Sequence, residues 1–303
     1  MSAVTQAYVM LDGIKMLATY SEDTGLWTAQ GSAPAESSWG EPDHVFTATI
    51  HAIDAAGNEA VMDHTDETYG DQLEFRVLEK TKPTATITSP TQDSVLGSAS
   101  QDIVMELQDA GGSGLNMASV VFKINNVQIL EGLSWQDSGG KKTCTYHATN
   151  LSDGSNSVSL QVSDNDGNVS DIDTVTFVIS TAAPTLNLTS PVEGLITNSN
   201  TVTVSGTAAA GTTSVTLEEV TINGTPADIG EGGAFSEQVT GLPGGPNTIT
   251  VVAKDSLGKT TTVQRHITVD TQAPIISDVV AEATTVEAGG TIKITFKVTD
   301  PAD

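Results

Sequence analysis

The sequence predicts an all-β protein built from tandem β-sandwich modules arranged end to end. Three observations predict it: short alternating strands throughout, a turn of the form Asp-x-x-Gly that recurs at module-length intervals, and a proline-bearing junction that recurs between them. Composition agrees. Hydrophobic residues make up 38% and aromatics only 4%, enough for several small cores and thin for one large one. No segment sustains a 3.6-residue apolar period over three turns, so helices are not expected.

The turn repeat is carried by Thr47–Asn58 (TATIHAIDAAGN), Ser157–Asn168 (SVSLQVSDNDGN) and Thr248–Lys259 (TITVVAKDSLGK). The intervals are roughly a hundred residues, the length of one β-sandwich domain. Ala48, Ile50 and Ala52 share a strand face with Asp54. Val158, Leu160 and Val162 share one with Asp164, and Ile249, Val251 and Ala253 share one with Asp255. Each aspartate therefore ends an apolar stripe, where its carboxylate can accept hydrogen bonds from the turn amides. Gly57, Gly167 and Gly258 follow three residues later and supply the positive φ that closes such a hairpin. These six residues are assigned a structural role.

The junction repeat comprises Lys80–Ile87 (KTKPTATI), Ser180–Leu188 (STAAPTLNL) and Asp270–Ile276 (DTQAPII). Pro83, Pro184 and Pro274 each hold the chain extended as a fresh strand begins. A third echo, Ala7–Ile14, Val120–Val127 and Glu219–Pro226, runs a strand into a turn containing Asn or Asp. The expected modules are 1–82, lacking its first strands; 83–181 and 182–272, both complete; and 273–303, the first two strands of a further one. Two origins are open for the partial ends: a piece cut from a longer repeat protein, or a C-terminal strand pair that completes the N-terminal module of the next copy, giving head-to-tail self-association.

These motifs, with Asp109–Asn116 (DAGGSGLN) ahead of a strand, resemble tandem bacterial immunoglobulin-like (Big-type) repeat domains of surface or phage structural proteins. The resemblance spans essentially the whole chain. It implies immunoglobulin-like sandwiches and a non-enzymatic role: a spacer, stalk or display rod of an adhesin-like protein on the bacterial cell surface, outside the cell. Two alternatives stand beside it. One is a phage virion tail or capsid decoration; the other is a module that binds a glycan or protein through loops of the first domain. The implied partners are neighbouring modules of the same protein, with a host glycan or surface protein as further candidates.

Twelve basic residues against 38 acidic ones give a net charge of −26. Such a surface repels phosphate backbones, so nucleic acid is excluded as a partner, and anionic membranes with it. No run of 18 apolar residues suggests membrane insertion, and the first 20 residues lack the pattern of a secretory leader. Cys144, the single cysteine, precludes an internal disulfide and alternates as a buried strand residue would.

Nothing points to catalysis. There is no nucleophile elbow. Leu257-Gly258-Lys259-Thr260 imitates the end of a phosphate loop, but Ala253 stands where the first glycine is required. No cofactor is expected; calcium is the one ion to consider. Asp164, Asp166, Asn168 and Asp171 alternate oxygen ligands around Gly167, with Asp173 beyond, so they form the calcium candidate against the plainer reading of a hairpin turn. His64 lies in the densest ligand-type cluster, Asp63–Glu67, within an insertion peculiar to the first module. With Trp39, in the loop Ser37–Asp43, it forms the candidate ligand-binding pair. Trp27 is expected in the core, Trp39 and Trp135 in exposed loops, and His51 facing solvent.

Overall fold

The computed structural model describes residues 3–301. Among them every regular element is a strand apart from short 3-10 turns, and no helix is long and apolar enough to cross a membrane. The chain separates into two compact units, Met1–Ser94 with Ser100–Val178, and Val95–Ala99 with Ile179–Asp303.

In the first unit, the N-terminal module is a single sheet. Leu26–Ala29, Ile14–Ser21, Val4–Leu11, Phe46–Asp54 and Glu59–Met62 pair in that order. Val4–Leu11 turns into Ile14–Ser21 through Asp12 and Gly13, both at positive φ, the geometry of a tight two-residue hairpin. Glu74–Phe75 pairs with the start of Phe46–Asp54. Residues 63–73 are thus inserted between two short strands that both pair with Phe46–Asp54. Leu11, Phe46, Ala48 and Leu73 form a small core on one face, with Val9, Met16, Met62 and Val77 against it.

Several expectations for single side chains fail. Trp27 is exposed and touches only Tyr20 among the aromatic rings, at 5.4 Å, because Leu26–Ala29 is the edge strand. His51 is half-buried rather than solvent-facing: its ring stacks on Tyr8 at 4.5 Å and meets Glu59 at 2.8 Å. Trp39 sits in a 3-10 turn and is half-buried, as is Trp135.

The second module is a two-sheet sandwich. Val127–Gln128, Leu115–Ile124, Gly154–Asp164 and Asp173–Ile179 pair in one sheet; Gln136–Ser138, Lys141–Ala148, Gln101–Gln108 and Thr84–Ser89 pair in the other. Strict alternation fixes which residues go inward. Along Gly154–Asp164 the buried set is Asn156, Val158, Leu160, Val162 and Asp164. Ile103, Met105 and Leu107 answer from the facing sheet, and Phe122 and Cys144 complete the packing. Each buried Val, Leu, Ile, Met or Phe among them contributes about 1.5–3 kcal/mol.

The third module, in the second unit, repeats this plan. Thr185–Ser190, Val202–Ala209 and Ala234–Val239 face Leu195–Thr197, Thr260–Val269, Gly245–Asp255, Leu217–Ile222 and Thr225–Pro226. Val204, Val220, Ile249, Val251, Ala253 and Ile267 form its centre. Beyond it, Ile275–Ala281 pairs antiparallel with Ile294–Thr299, interrupted by a bulge between Ser277 and Val280.

Candidate functional site

Three turns with one design stand at corresponding places in the modules. Asp54 Oδ1 accepts the Ala56 and Asn58 amides, both at 2.9 Å, and Asp164 Oδ1 accepts the Asn168 amide at 2.8 Å. Asp255 Oδ1 accepts the Leu257 and Lys259 amides at 3.0 and 2.9 Å. Gly57, Gly167 and Gly258 all adopt positive φ. A carboxylate that accepts amide hydrogens forms charge-assisted bonds, which makes its removal from water tolerable. The second oxygen separates the three. Oδ2 of Asp54 and of Asp164 each accepts a side-chain amide, from Asn58 at 2.9 Å and Asn168 at 2.8 Å. Oδ2 of the fully buried Asp255 has no partner, because Lys259 stands where the asparagines stand.

The second turn also gathers the segment that leads into its own module. Asp166 Oδ2 accepts the Ser37 hydroxyl at 2.6 Å and the Glu79 amide at 3.0 Å, while Asn168 Nδ2 donates to the Glu79 carbonyl at 3.1 Å. From the other side, the Ser38 amide donates to the Val77 carbonyl at 2.9 Å and the Val77 amide returns a bond to Ser38 Oγ at 3.0 Å. The connecting chain from Val77 to Glu79 is therefore held by two modules at once.

Inside this junction Glu79 turns its side chain into the end of the second module, where carboxylate oxygens of Glu79, Asp109 and Asp164 lie within 4.8 Å of one another. The Thr81 amide donates to Glu79 Oε2 at 2.6 Å and the Ser113 hydroxyl to Oε1 at 3.2 Å. Asp109 accepts the Gly111 and Gly114 amides at 3.0 and 2.7 Å. The approach depends on Gly111, since a Cβ there would fall 1.9 Å from a Glu79 carboxylate oxygen. Burial, then a hydrogen bond shared with Asp164 and the charge of Asp109, pushes the Glu79 carboxyl above its ordinary range, against the opposing pull of Thr81 and Ser113. Three oxygens so placed share protons or coordinate a hard cation. Among the described residues this is the one group of three or more His, Cys, Asp or Glu side chains that converges in this way.

The four residues read from the sequence as calcium ligands are dispersed by their partners. Asp164 faces Glu79 and Asp109, Asp166 faces Ser37, and Asn168 presents its amide nitrogen. Asp171 pairs with Lys82 at 2.8 Å, which lowers its carboxyl pKa, and Asp173 accepts the Ile87 amide at 2.6 Å. Sequence reasoning missed Glu79 and gave Asp109 no ligand role. Their signal was available: an acid just ahead of the proline junction, and an acid at the head of a glycine-rich loop.

Trp39 and His64 do not share a site. Trp39 stacks on His44 at 4.0 Å, and its amide donates to Ser37 Oγ at 3.0 Å. His64 lines an open cleft of about 320 Å³ whose other walls include Asp12, Glu41, Asp43 and Glu74, with Trp39 not among them. Two acids near His64 in sequence are engaged in local turns: Asp63 caps Thr65, and Asp66 caps Thr68 and Tyr69.

Comparison with known proteins agrees with this architecture. Residues 83–160 match the model of a bacterial Ig domain, and residues 184–271 match that of glucodextranase domain B. The chain carries bacterial immunoglobulin-like domains in tandem. Bacillopeptidase F of Bacillus subtilis (strain 168) is 30% identical over 161 residues, 52% of this chain. The matched stretch is 11% of that relative's length, so most of the relative has no counterpart here. Similar solved structures include the fibronectin(III)-like modules of Clostridium thermocellum CbhA, at 18% identity and TM-score 0.35, covering 61% of this chain and 94% of that one. Immunoglobulin domains 1–4 of Sidekick-1 are 14% identical, with TM-score 0.35, covering 87% and 67%.

Proposed function

We propose that the chain is a non-enzymatic spacer of an extracellular bacterial protein, whose modules set the distance and direction of whatever they carry. The observation that carries this reading is the junction at residues 77–79. A flexible tether would leave its backbone to water, but here amides and carbonyls of Val77 and Glu79 are bound by Ser38 on one side and by Asp166 and Asn168 on the other. A clamped linker transmits orientation, which is what a stalk requires. The similarity of 161 residues to part of bacillopeptidase F supports the same reading, since the match covers a minor portion of a much longer protein.

Limited proteolysis tests it. The native chain should resist cleavage between Val77 and Lys82, and Asp166→Ala should open that segment at least tenfold faster while both units keep their circular dichroism. Rapid cleavage there in the native chain would mean a loose tether and would refute the stalk. Immunolabelling of washed envelopes against purified virions of the source then decides where the spacer is displayed: envelope signal supports the cell surface, and virion signal moves it to a phage particle.

A further inference from the structure

We propose that the third module accepts an added β-strand: an extended, basic segment of a partner protein pairs with the outer edge of Ala234–Val239. That strand ends its sheet, and among the described residues no strand lies beyond it. In the neighbouring strand Val202–Ala209, the Thr203 and Ser205 carbonyls face away from it, towards the hydroxyls of Ser190 and Thr189. Amide and carbonyl of one residue point the same way in an antiparallel strand and alternate along it. Val202, Val204 and Gly206 therefore bond to their partners Val239, Glu237 and Phe235, which leaves Ala234, Ser236 and Gln238 turned outward. The Ala234 carbonyl accepts the Gly230 amide at 2.7 Å on that outer side; Ser236 and Gln238, both exposed, continue the edge. The second module treats the matching edge differently. Gln136–Ser138 pairs there with the start of Lys141–Ala148, and the two lysines are matched by acids, Lys141 with Glu106 at 2.9 Å and Lys142 with Asp137 at 2.6 Å. The connection into Ala234–Val239 is shorter and carries a 3-10 turn in place of that strand.

Charge sets what this edge selects. Glu237 shares the inward side of the strand with buried Phe235 and half-buried Val239. A charged side chain pointing inward on an edge strand deters indiscriminate pairing. It also chooses a partner. Directly opposite residues of paired strands bring their Cβ atoms to about 4.5–5.5 Å, so a Lys or Arg opposite Glu237 is matched and an acid is repelled. Among the described residues no cation pairs with Glu237. No Lys or Arg occurs between Lys142 and Lys254, and Lys254 is taken by Glu218 at 2.9 Å. Asp228 and Glu231, in the connection just ahead of the strand, add to the negative charge. Beside the edge, Ile222, Pro226 and Val239 with Asn223, Glu237 and Gln238 line a cleft of about 270 Å³. A strand laid along Ser236 and Gln238 directs alternate side chains into this cleft, apolar ones towards Ile222 and Pro226 and a cation towards Glu237. In such an addition the main-chain bonds supply affinity, and the pockets for alternate side chains supply specificity.

Fluorescence anisotropy tests the proposal with a labelled peptide, Gly-Ser-Val-Thr-Lys-Thr-Val-Ser-Gly, added to the full chain in about 0.15 M salt, where distant charges are screened. Its lysine falls opposite Glu237 when its two threonines lie opposite Ser236 and Gln238. The peptide should bind saturably, and the same peptide with Glu in place of Lys should bind at least about tenfold more weakly. N-methylation of both threonines removes the donors to the edge without changing charge, and should cost at least as much. Glu237→Lys should exchange the preference, so that the glutamate peptide becomes the tighter one. Gln238→Pro deletes an outward amide and spares the ladder to Val202–Ala209, so it should weaken binding while the melting of the second unit is unchanged. Absence of saturable binding overturns the proposal. Equal binding of the N-methylated peptide overturns it too, since the contact would then be charge attraction without a strand. So does concentration-dependent pairing of the chain with itself that Gln238→Pro abolishes, which would make the occupant a second copy.

Discussion

The turns at Asp164 and Asp255 occupy one place in the fold and carry opposite local chemistry. Both aspartates end a strand of alternating buried residues, and both are themselves buried. Around Asp164 stand Glu79 and Asp109, and Asn168 satisfies the second oxygen. At the matching positions of the third module stand Ser180 and Ala210, with Lys259 in place of the asparagine. The Lys259 ammonium donates to the Ser180 carbonyl, and the Ser180 hydroxyl meets Thr212 Oγ1 at 2.8 Å. The first turn gathers carboxylates, while the second has removed all but one. The difference teaches that the aspartate belongs to the turn itself, whereas the acids around it belong to one junction only.

That division predicts unequal losses. Asp255→Ala strands the Leu257 and Lys259 amides, and unsatisfied buried donors cost about 1–3 kcal/mol each, so the second unit should lose at least that much. Asp164→Ala strands the Asn168 amide but also relieves crowding with Glu79 and Asp109, so its loss should be smaller at pH 7. Urea unfolding of each variant, followed by probes in the two units, measures both. Equal losses would mean that the acid cluster exerts no net repulsion.

The next effect is in pH. Burial raises the Glu79 carboxyl above its ordinary 4.5, so folding favours its neutral form. The sign follows from linkage: the first unit is most stable, as far as this group is concerned, below the unfolded value, and it loses stability as pH rises through the folded value. Acidification from pH 7 towards about 4.5 should therefore stabilise this junction. Asp171, Glu59 and Asp63 have lowered values in the same unit, so below about pH 4 their protonation reverses the trend. Glu79→Gln should raise the melting temperature of the first unit at pH 7 and flatten its dependence between pH 4.5 and 7. A flat wild-type profile over that window would contradict the repulsion inferred from the cluster.

How much of this could be read from the sequence follows the range of each interaction. The aspartate–glycine turns are local, complete within five residues, and period-two alternation places Val158, Leu160 and Val162 on one face without any structure. Glu79, Asp109 and Asp164 come together only through strand pairing, and no spacing rule joins an interdomain residue to two loops of the next module. Trp27 misled for a related reason: alternation gives two faces of a strand, but which face is covered depends on whether a second sheet is present. Asp166 was legible as a turn residue and illegible as a clamp, because its partner Ser37 lies in another module.

The smallest expected effect isolates the single position that distinguishes the two turns. Lys259→Asn copies Asn168 into the third module and supplies a side-chain amide for the orphaned Oδ2 of Asp255. It also deletes the ammonium bond to the Ser180 carbonyl, which involves a half-buried lysine and so is worth less than satisfying a buried carboxylate oxygen. The second unit should gain about 1 kcal/mol, and the reciprocal Asn168→Lys should cost the first unit more than that, since it breaks the bonds to both Asp164 and the Glu79 carbonyl. If Lys259→Asn instead destabilises the second unit, the lysine is the real counter-charge of Asp255. The third module would then have exchanged an asparagine for a cation as it shed its neighbouring acids.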